Sequence, residues 1–216
     1  MTALRIRTRV KICGLSTKES ALHAAACGAD LVGFVFVEGS PRFIDPGAAA
    51  EIMATLPPGV TSAAVIRDFD EETFYEAVQA CPCEIWQPHG NETDALLAEY
   101  GGGLVKGFKF DPKTIDVKLE RFAGLDAVSA ILVDGSDGGT GTTFDWSQLA
   151  QALERAAFAK PVFLAGGLVP ANVADAIAAV KPWAVDVSSG VESEPGVKDL
   201  AKIEAFCRAV KEADAG

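Results

Sequence analysis

One stretch close to the start of the chain distinguishes between two α/β folds: Val10-Lys11-Ile12-Cys13-Gly14-Leu15-Ser16-Thr17. Its first half has the pattern of a short strand that ends at a glycine. An open, doubly wound sheet normally carries a G-x-G-x-x-G fingerprint after its first strand, and the residues after Gly14 do not supply one. The stretch therefore favours a closed barrel over an open sheet.

The same unit, a short β-branched run followed by a turn and a helical pattern, recurs along the chain. Predicted strands are Arg9–Cys13, Leu31–Phe36, Thr61–Ile66, Glu84–Gln87, Val105–Phe108, Ala130–Asp134, Pro161–Ala165 and Ala184–Ser188. Predicted helices are Lys18–Cys27, Pro46–Thr55, Glu71–Ala80, Thr93–Tyr100, Ile115–Phe122, Trp146–Ala156, Pro170–Ala179 and Lys198–Lys211. This alternation predicts a parallel sheet with helical crossovers. Since eight units of about 27 residues approach the minimum for a (β/α)8 barrel, we expect an α/β, single-domain TIM barrel over residues 1–216.

Composition narrows the class of protein. Of 216 residues, 49% are hydrophobic, which is enough for one large core. No apolar run is long enough to span a bilayer, and no secretory signal pattern follows the basic residues at the start. Five cysteines at scattered positions predict a reducing compartment, so we expect a cytoplasmic protein. With two histidines in all, we expect no zinc site.

The formal net charge of −11 counts against nucleic acid as a partner, because nucleic-acid binding needs basic stripes. A small anion remains a possible ligand where helix N-termini and a few Arg or Lys side chains bind it locally. We therefore expect a small molecule as the partner, and neither nucleic acid nor a membrane. The sequence leaves protein partners and the oligomeric state open.

Cys13 is the first candidate catalytic residue. Alternation along its strand puts Lys11 and Cys13 on one face, and Val10 and Ile12 on the other. The apolar face suits packing against helices, so we expect Lys11 and Cys13 to face the barrel interior. A cation nearby favours the thiolate, which can act as a base or a nucleophile. The alternative is a buried cysteine that only fills space.

Asp134 is the second candidate, because barrel enzymes carry their reactive groups where the strands end. It lies on the same strand face as Ala130 and Leu132, which predicts an inward carboxyl group. A buried carboxyl group that holds its proton is suited to act as a general acid. The alternative is an aspartate that caps a turn. The glycine-rich loop that follows, with Gly138 and Gly139, is interpreted as a lid, or else as an ordinary surface loop.

Two glycine-containing loops, after the seventh and eighth predicted strands, indicate a phosphate site. The first loop contains Gly166 and Gly167, and the second loop contains Ser189 and Gly190. Glycines let backbone N–H groups approach an anion, and these two loops form the recurrent phosphate site of barrels. Either loop alone would suggest only a tight turn, but the pair favours a phosphorylated ligand.

Four residues are candidates for substrate binding, and one of them is Lys11, beside Cys13 on the inward face of its strand. Arg42 follows the second strand and suits planar pairing with a carboxylate, although a solvated surface arginine fits the sequence equally well. His89 follows the fourth strand and either donates to a ligand or binds a loop carbonyl. Asp186 is predicted to face inward with either a structural or a substrate-orienting role.

Together, five motifs in order resemble the phosphoribosylanthranilate isomerase family over nearly the whole chain. They are Val10-Lys11-Ile12-Cys13-Gly14, Ser40-Pro41-Arg42-Phe43, Gly138-Gly139-Thr140-Gly141 with Phe144-Asp145-Trp146, Ala165-Gly166-Gly167-Leu168 with Pro170 and Asn172, and Val185-Asp186-Val187-Ser188-Ser189-Gly190-Val191-Glu192. The chain departs from the family pattern at Pro88, where leucine is usual, which leaves the role of His89 open.

The resemblance implies an isomerase of tryptophan biosynthesis, an intramolecular oxidoreductase of the aldose–ketose type. Its Amadori rearrangement converts N-(5-phosphoribosyl)anthranilate to 1-(o-carboxyphenylamino)-1-deoxyribulose 5-phosphate. By resemblance, Asp134 is the general acid and Cys13 the general base, and Arg42 holds the anthranilate carboxylate. The substrate's phosphate would bind the two glycine-containing loops. The resemblance implies neither a cofactor nor a metal.

Other phosphate-binding barrels are the rival interpretations. Ribulose-phosphate epimerases use paired aspartates and histidine metal ligands, which two histidines hardly supply. The histidine-pathway isomerase is expected to have an aspartate where Cys13 stands, although a dual-substrate aminoaldose-phosphate isomerase remains an alternative. A non-catalytic barrel that only binds a phosphorylated ligand is another, since a fold alone does not establish activity.

Overall fold

The structure, a computed structural model, describes residues 7–135 and 143–215. Over these ranges one parallel sheet contains the strands β1 (Arg9–Cys13), β2 (Leu31–Val35), β3 (Thr61–Ile66), β4 (Ile85–Pro88), β5 (Leu104–Lys109), β6 (Val128–Asp134), β7 (Val162–Leu164) and β8 (Ala184–Val187). The helices between and after them are α1 (Lys18–Ala26), α2 (Pro46–Met53), α3 (Glu71–Ala80), α4 (Asp94–Glu99), α5 (Ile115–Ala123), α6 (Trp146–Arg155), α7 (Val173–Val180) and α8 (Leu200–Ala215). The predicted (β/α)8 barrel is confirmed.

The first and last strands of the barrel, β1 and β8, are neighbours in the sheet. β1 pairs in parallel with β2 on one side and with β8 on the other, so that Lys11 lies opposite both Leu31 and Asp186. β4 and β5 are in contact, but in the described residues no backbone ladder joins them. The amide of His89 donates to Ile66 on β3, and alternation then turns the nitrogen of Pro88 toward β5, where it has no hydrogen to donate.

Two apolar layers lie on the two faces of the sheet. Val10 and Ile12 belong to the large core between the strands and the helices. Ala130 and Leu132 belong to a smaller cluster inside the barrel, together with side chains such as Phe163. The predicted alternation on β1 and β6 is confirmed, and it directs the polar residues of these strands into the barrel.

Several helices begin where the sequence supplies a side-chain cap. The side chains of Thr17, Asp45, Asp70, Thr93 and Asp145 each accept a hydrogen bond from an amide in the first turn of the helix that follows. Such caps satisfy backbone donors that have no partner within the helix. They explain why the predicted starts of the first three helices coincide with those observed.

The segment after β8 differs from the prediction. The last helix was expected to start at Lys198, but α8 starts at Leu200, and an antiparallel hairpin of β9 (Glu192–Glu194) and β10 (Val197–Lys198) precedes it. Gly196 in its turn has φ +86° and lies against the carbonyl oxygen of Pro41. Strands this short carry almost no alternation, so their pairing depends on contacts with distant loops. The start of α7 also moves, from the predicted Pro170 to Val173.

Candidate active site

The carboxyl ends of the strands surround a cavity of about 370 Å³. This is the end of the barrel that carries active sites in barrel enzymes. Nine of the residues predicted for the site line this one cavity: Cys13, Arg42, His89, Asp134, Gly166, Gly167, Asp186, Ser189 and Gly190. The structure therefore brings together the thiol, the carboxyl groups, the cation and the two glycine-containing loops.

Cys13 ends β1 with its side chain packed against Val35 and Val65. Its sulfur lies so close to β2 that a Cβ atom at Gly33 would be 3.0 Å from it, which only a glycine avoids. Burial raises the pKa of the Cys13 thiol, and the positive charge of Lys11 opposes this by a smaller amount. The expected effect of Lys11 is therefore present, but burial outweighs it.

Lys11 lies behind the cavity wall. It is 1% exposed, and its Nζ donates to Asp186 Oδ1 at 2.9 Å. Burial opposes the charge of the ammonium group, but the carboxylate of Asp186 and the neighbouring Cys13 raise the pKa of Lys11. Of these two residues, Asp186 lines the cavity and Lys11 does not. This geometry makes Lys11 a counter-ion for Asp186, and its expected contact with the substrate stays a prediction.

Asp134 ends β6 in a narrow gap between neighbouring elements. Its carbonyl oxygen accepts a hydrogen bond of 2.7 Å from the amide of Phe110, just after β5. On the other side, a Cβ atom at Gly166 would lie 3.1 Å from Asp134 Oδ1 and would collide with Gly135. Gly166 also has φ +89°, a backbone conformation that favours glycine. The β7 loop can therefore approach the carboxyl group only because residue 166 has no side chain.

The two glycine-containing loops lie against each other on the β7–β8 side of the mouth. Gly166 and Gly167 have φ +89° and +63°, and Ser189 starts a single 3-10 turn after β8. A side chain at Gly190 would overlap the carbonyl oxygen of Leu168 in the other loop. This contact makes one continuous surface of backbone, which is the arrangement expected of a phosphate site.

Asn172, directly before α7, holds the first of these loops in place by two hydrogen bonds. Its Oδ1 accepts from the amide of Val169 at 2.8 Å, and its Nδ2 donates to the carbonyl of Gly167 at 2.9 Å. Its side chain makes no capping bond to α7. The start of α7 thus has no side-chain cap, and amide groups there are suited to an anion.

Arg42 lines the cavity, as expected, and forms a planar ion pair. Its Nε and one terminal nitrogen donate to the two carboxylate oxygens of Glu192, each at 2.8 Å. Lys198 Nζ donates to the same carboxylate at 2.7 Å. Burial disfavours the charge of Glu192, but the bonds from Arg42 and Lys198 lower the pKa of its carboxyl group. The sequence predicted neither the pairing of Arg42 with Glu192 nor the second bond from Lys198 to Glu192.

His89 reaches the cavity through the seam between β4 and β5. A Cβ atom at Gly107 on β5 would be 2.5 Å from His89 Nδ1, so the glycine makes room for the ring. Gln87 Nε2 lies 3.3 Å from the same nitrogen. Gln87 itself lines the cavity and is 2% exposed, and its Oε1 has no hydrogen-bond partner among the described residues.

A buried lysine holds the loop that carries His89. Lys106 Nζ donates to the carbonyl oxygens of Pro88 and Gly90, at 3.3 and 3.0 Å, and pairs with Glu92 at 3.0 Å. Glu92 also accepts from the amide of Gly90. Desolvation lowers the pKa of Lys106, although the charge of Glu92 opposes that effect. The proline that departs from the family pattern thus ends β4 directly before a well-bonded loop.

The residues that sequence patterns missed are polar partners from distant parts of the chain. Arg42 and Glu192 are 150 positions apart, and only the folded hairpin brings them together. A signal for Glu192 existed, since it follows directly on the second glycine-containing loop. The predicted lid residues Gly138 and Gly139 lie outside the described residues.

Residues 7–135 and 143–215 contain neither a candidate metal site nor a helix that could span a membrane. No group of three or more His, Cys, Asp and Glu side chains there could hold a metal ion. In the same ranges, the helices are all too short or too polar to cross a membrane.

Comparison with known proteins identifies the family. The family model for N-(5'phosphoribosyl)anthranilate (PRA) isomerase matches residues 10–209. An N-(5'-phosphoribosyl)anthranilate isomerase from Pseudomonas putida is 44% identical over 207 residues, covering 95% of this chain and 98% of the relative.

Solved structures agree in fold. A phosphoribosyl anthranilate isomerase from Thermotoga maritima superposes with a TM-score of 0.83 at 34% identity, over 95% of this chain and 99% of the other. A further structure of such an isomerase, with a TM-score of 0.81 and 33% identity over 95% and 99% of the two chains, is a complex with reduced 1-(o-carboxyphenylamino)-1-deoxyribulose 5-phosphate. The chain belongs to the N-(5'-phosphoribosyl)anthranilate isomerase family.

Proposed function

We propose that this protein converts N-(5-phosphoribosyl)anthranilate to 1-(o-carboxyphenylamino)-1-deoxyribulose 5-phosphate by an Amadori rearrangement, with Asp134 as general acid and Cys13 as general base. The observation that carries the proposal is that these two side chains line one cavity beside the two glycine-containing loops. An acid and a base on one substrate are what the rearrangement requires. Membership of the isomerase family supports the same activity and a place in tryptophan biosynthesis.

Asp134 acts first. Its carboxyl group donates a proton to the furanose ring oxygen, the C1′–O bond breaks, and the nitrogen lone pair forms the C1′=N bond of a protonated Schiff base. Asp134 becomes a carboxylate as the positive charge appears on the nitrogen. In a site shielded from water, these opposite charges stabilise each other more than they would in bulk solvent.

Cys13 acts second, as the thiolate. It removes the proton from C2′, the C–H electron pair forms the C1′=C2′ bond, and the C=N pair returns to nitrogen. The resulting enolamine tautomerises to the ketone: the C2′ hydroxyl loses its proton as the C2′=O bond forms, and C1′ gains a proton. Burial raises the pKa of the thiol, so the thiolate depends on positive charge nearby. Lys11 supplies one such charge, and the protonated Schiff base supplies another at the moment it is needed.

The remaining residues hold the substrate. Arg42 pairs with the anthranilate carboxylate, and the backbone of the two glycine-containing loops binds the phosphate. Asp186 and His89 line the walls between these ends and bind the ribose hydroxyl groups. Every step is a proton transfer or a rearrangement within the substrate, and the family resemblance implies neither a cofactor nor a metal.

The proposal extends to the setting of the enzyme. We assign residues 1–216 to one catalytic domain, with a small phosphorylated molecule rather than nucleic acid as its partner. Alignment with the relatives over 95% of the chain supports this assignment. The five cysteines are free thiols, which is in keeping with a reducing compartment and with the proposed location in the cytoplasm.

The test is turnover of two aminoaldose phosphates by the purified protein. With freshly made phosphoribosylanthranilate, we expect loss of the anthranilate-linked fluorescence at a rate proportional to enzyme. With the aminoaldose substrate of the histidine pathway, we expect no turnover. Turnover of both would indicate the dual-substrate isomerase. Binding of the phosphorylated ligand without turnover would indicate a non-catalytic barrel and refute the proposal.

A further inference from the structure

Three buried charges meet where the β9–β10 hairpin packs against the loop after β2. The carboxylate of Glu192 lies between the guanidinium group of Arg42, at 2.8 Å, and the ammonium group of Lys198, at 2.7 Å. The side chains of Glu192 and Lys198 are 4% and 2% exposed. Of the three, Arg42 lines the cavity, and the other two lie behind it among the described residues.

The pairing of Arg42 with Glu192 raises a question for ligand binding. A carboxylate that accepts hydrogen bonds from two nitrogens of a guanidinium group also cancels the positive charge of that group. An isolated Arg42–Glu192 pair is neutral, and a neutral pair attracts a ligand carboxylate only weakly. With Lys198 included, two cations share one anion and the cluster keeps one net positive charge. Since the cluster is buried, that charge is poorly screened by water.

We propose that Lys198 is a positioning residue for the carboxylate of the substrate: it neutralises Glu192, so that Glu192 can fix the plane of Arg42 without cancelling its attraction for the ligand. This inference rests on the proposed function, in which Arg42 pairs with the anthranilate carboxylate. Lys198 itself does not touch the substrate. Glu192 supplies orientation, and Lys198 preserves the charge.

Further contacts of Lys198 tie this cluster to the rest of the site. Its Nζ donates to the carbonyl oxygen of Ser188 at 3.0 Å and to the Ser188 hydroxyl at 3.2 Å. That hydroxyl in turn donates to the carbonyl oxygen of Cys13 at 3.0 Å. Lys198 therefore links the carboxylate end of the cavity to the start of the phosphate loop and to the end of β1.

The experiment measures how much affinity a ligand gains from its carboxylate. Two probes are titrated by calorimetry: reduced 1-(o-carboxyphenylamino)-1-deoxyribulose 5-phosphate, and the same molecule with a phenylamino group that lacks the carboxylate. We expect wild-type protein to prefer the first by about tenfold or more. Lys198→Met should reduce this preference to about twofold or less, because the Arg42–Glu192 pair it leaves is neutral.

A double variant separates the charge effect from loss of structure. Glu192→Gln/Lys198→Met removes one negative and one positive charge, restores the net charge of the cluster, and should restore the preference for the carboxylate. A lysine that only supported the loop would give a double variant at least as impaired as the single one. Lys211→Met, at an exposed site on α8, is the matched control and should behave as wild type.

The outcomes are distinct. Wild-type protein without a preference for the carboxylate would refute the role of Arg42 in the proposed function, and this inference with it. A wild-type preference that Lys198→Met retains would overturn this inference alone. If Lys198→Met does not fold by circular dichroism, Glu192→Gln decides: the charge account predicts a preference equal to or greater than that of wild type, and its loss contradicts the account.

Discussion

The ammonium group of Lys11 and the carboxylate of Asp186 lie 2.9 Å apart on neighbouring strands, just below Cys13 in the barrel. Only the carboxylate reaches the cavity among the described residues. The Asp186 carboxylate therefore lies in the cavity wall. The Lys11 ammonium group that balances its charge lies behind the wall, two residues along the chain from Cys13. This arrangement makes the ionisation of Cys13 depend on Lys11, a residue behind the cavity wall.

The first prediction concerns the ionisation of Cys13. Burial and the charge of Asp186 raise the pKa of its thiol, whereas the charges of Lys11 and Lys198 lower it. Because burial dominates, the rate of alkylation by iodoacetamide should still be rising as the pH passes the ordinary thiol value of about 8.5. Mass spectrometry of the Cys13 peptide gives the rate, and Cys13→Ala gives the background. A midpoint below the ordinary value would contradict the prediction.

The second prediction concerns the partners of the buried ion pair. Lys11→Met leaves Asp186 without its counter-ion, so the free energy of unfolding should fall by about 3–5 kcal/mol. Adding Asp186→Asn should recover much of that stability, because the uncompensated charge is gone, but it should not recover turnover. Urea denaturation and the fluorescence assay measure the two effects. If the double variant regains full turnover, the pair has no role in catalysis.

The third prediction tests the contact between the two glycine-containing loops. Gly190→Ala would push the β8 loop away from the carbonyl oxygen of Leu168, so affinity for inorganic phosphate should fall, by about tenfold for a loss near 1.4 kcal/mol. Gly102→Ala is the matched control, since a Cβ atom there meets nothing within 4 Å. Equal phosphate affinity in both variants would argue against a shared phosphate surface.

The fourth prediction concerns His89. A methyl group at Gly107 would overlap the imidazole ring, so Gly107→Ala should displace His89 and raise KM several-fold. Its effect on stability should be an overpacking cost of about 1–3 kcal/mol. His89→Ala tests the contact with the substrate directly, and the double variant Gly107→Ala/His89→Ala should regain stability, because loss of the ring makes room for the added methyl group. If Gly107→Ala raises KM and His89→Ala leaves KM unchanged, His89 does not contact the substrate.

Much of the fold was predictable because it depends on local patterns. The strands Arg9–Cys13 and Thr61–Ile66 and the helix Glu71–Ala80 have the predicted bounds, since a β-branched run and a capped helix are each specified within a few residues. Alternation on β1 and β6 also gave the correct interior faces. Cys13 and Asp134 both face the barrel interior, and each ends a strand. Barrel geometry alone therefore places them at the same mouth of the barrel.

The polar partners of the site were not predictable in the same way. Glu192 meets Arg42 only because a hairpin of very short strands folds back over the mouth. The position of Lys11 behind the wall depends on its pairing with Asp186 across two strands. The balance of burial against charge at Cys13 likewise requires the three-dimensional surroundings, which residue spacing does not supply.

Single-turnover fluorescence traces of four proteins with phosphoribosylanthranilate test the roles of Cys13 and Asp134 as base and acid. Cys13→Ala and Asp134→Asn should each lower the rate by about 10²–10⁴-fold and still bind the reduced product analogue. Wild-type protein should convert all the substrate, and so should Cys207→Ala, which removes a buried cysteine on α8, away from the cavity. Turnover near the wild-type rate in either Cys13→Ala or Asp134→Asn would contradict the assignment of the base or the acid.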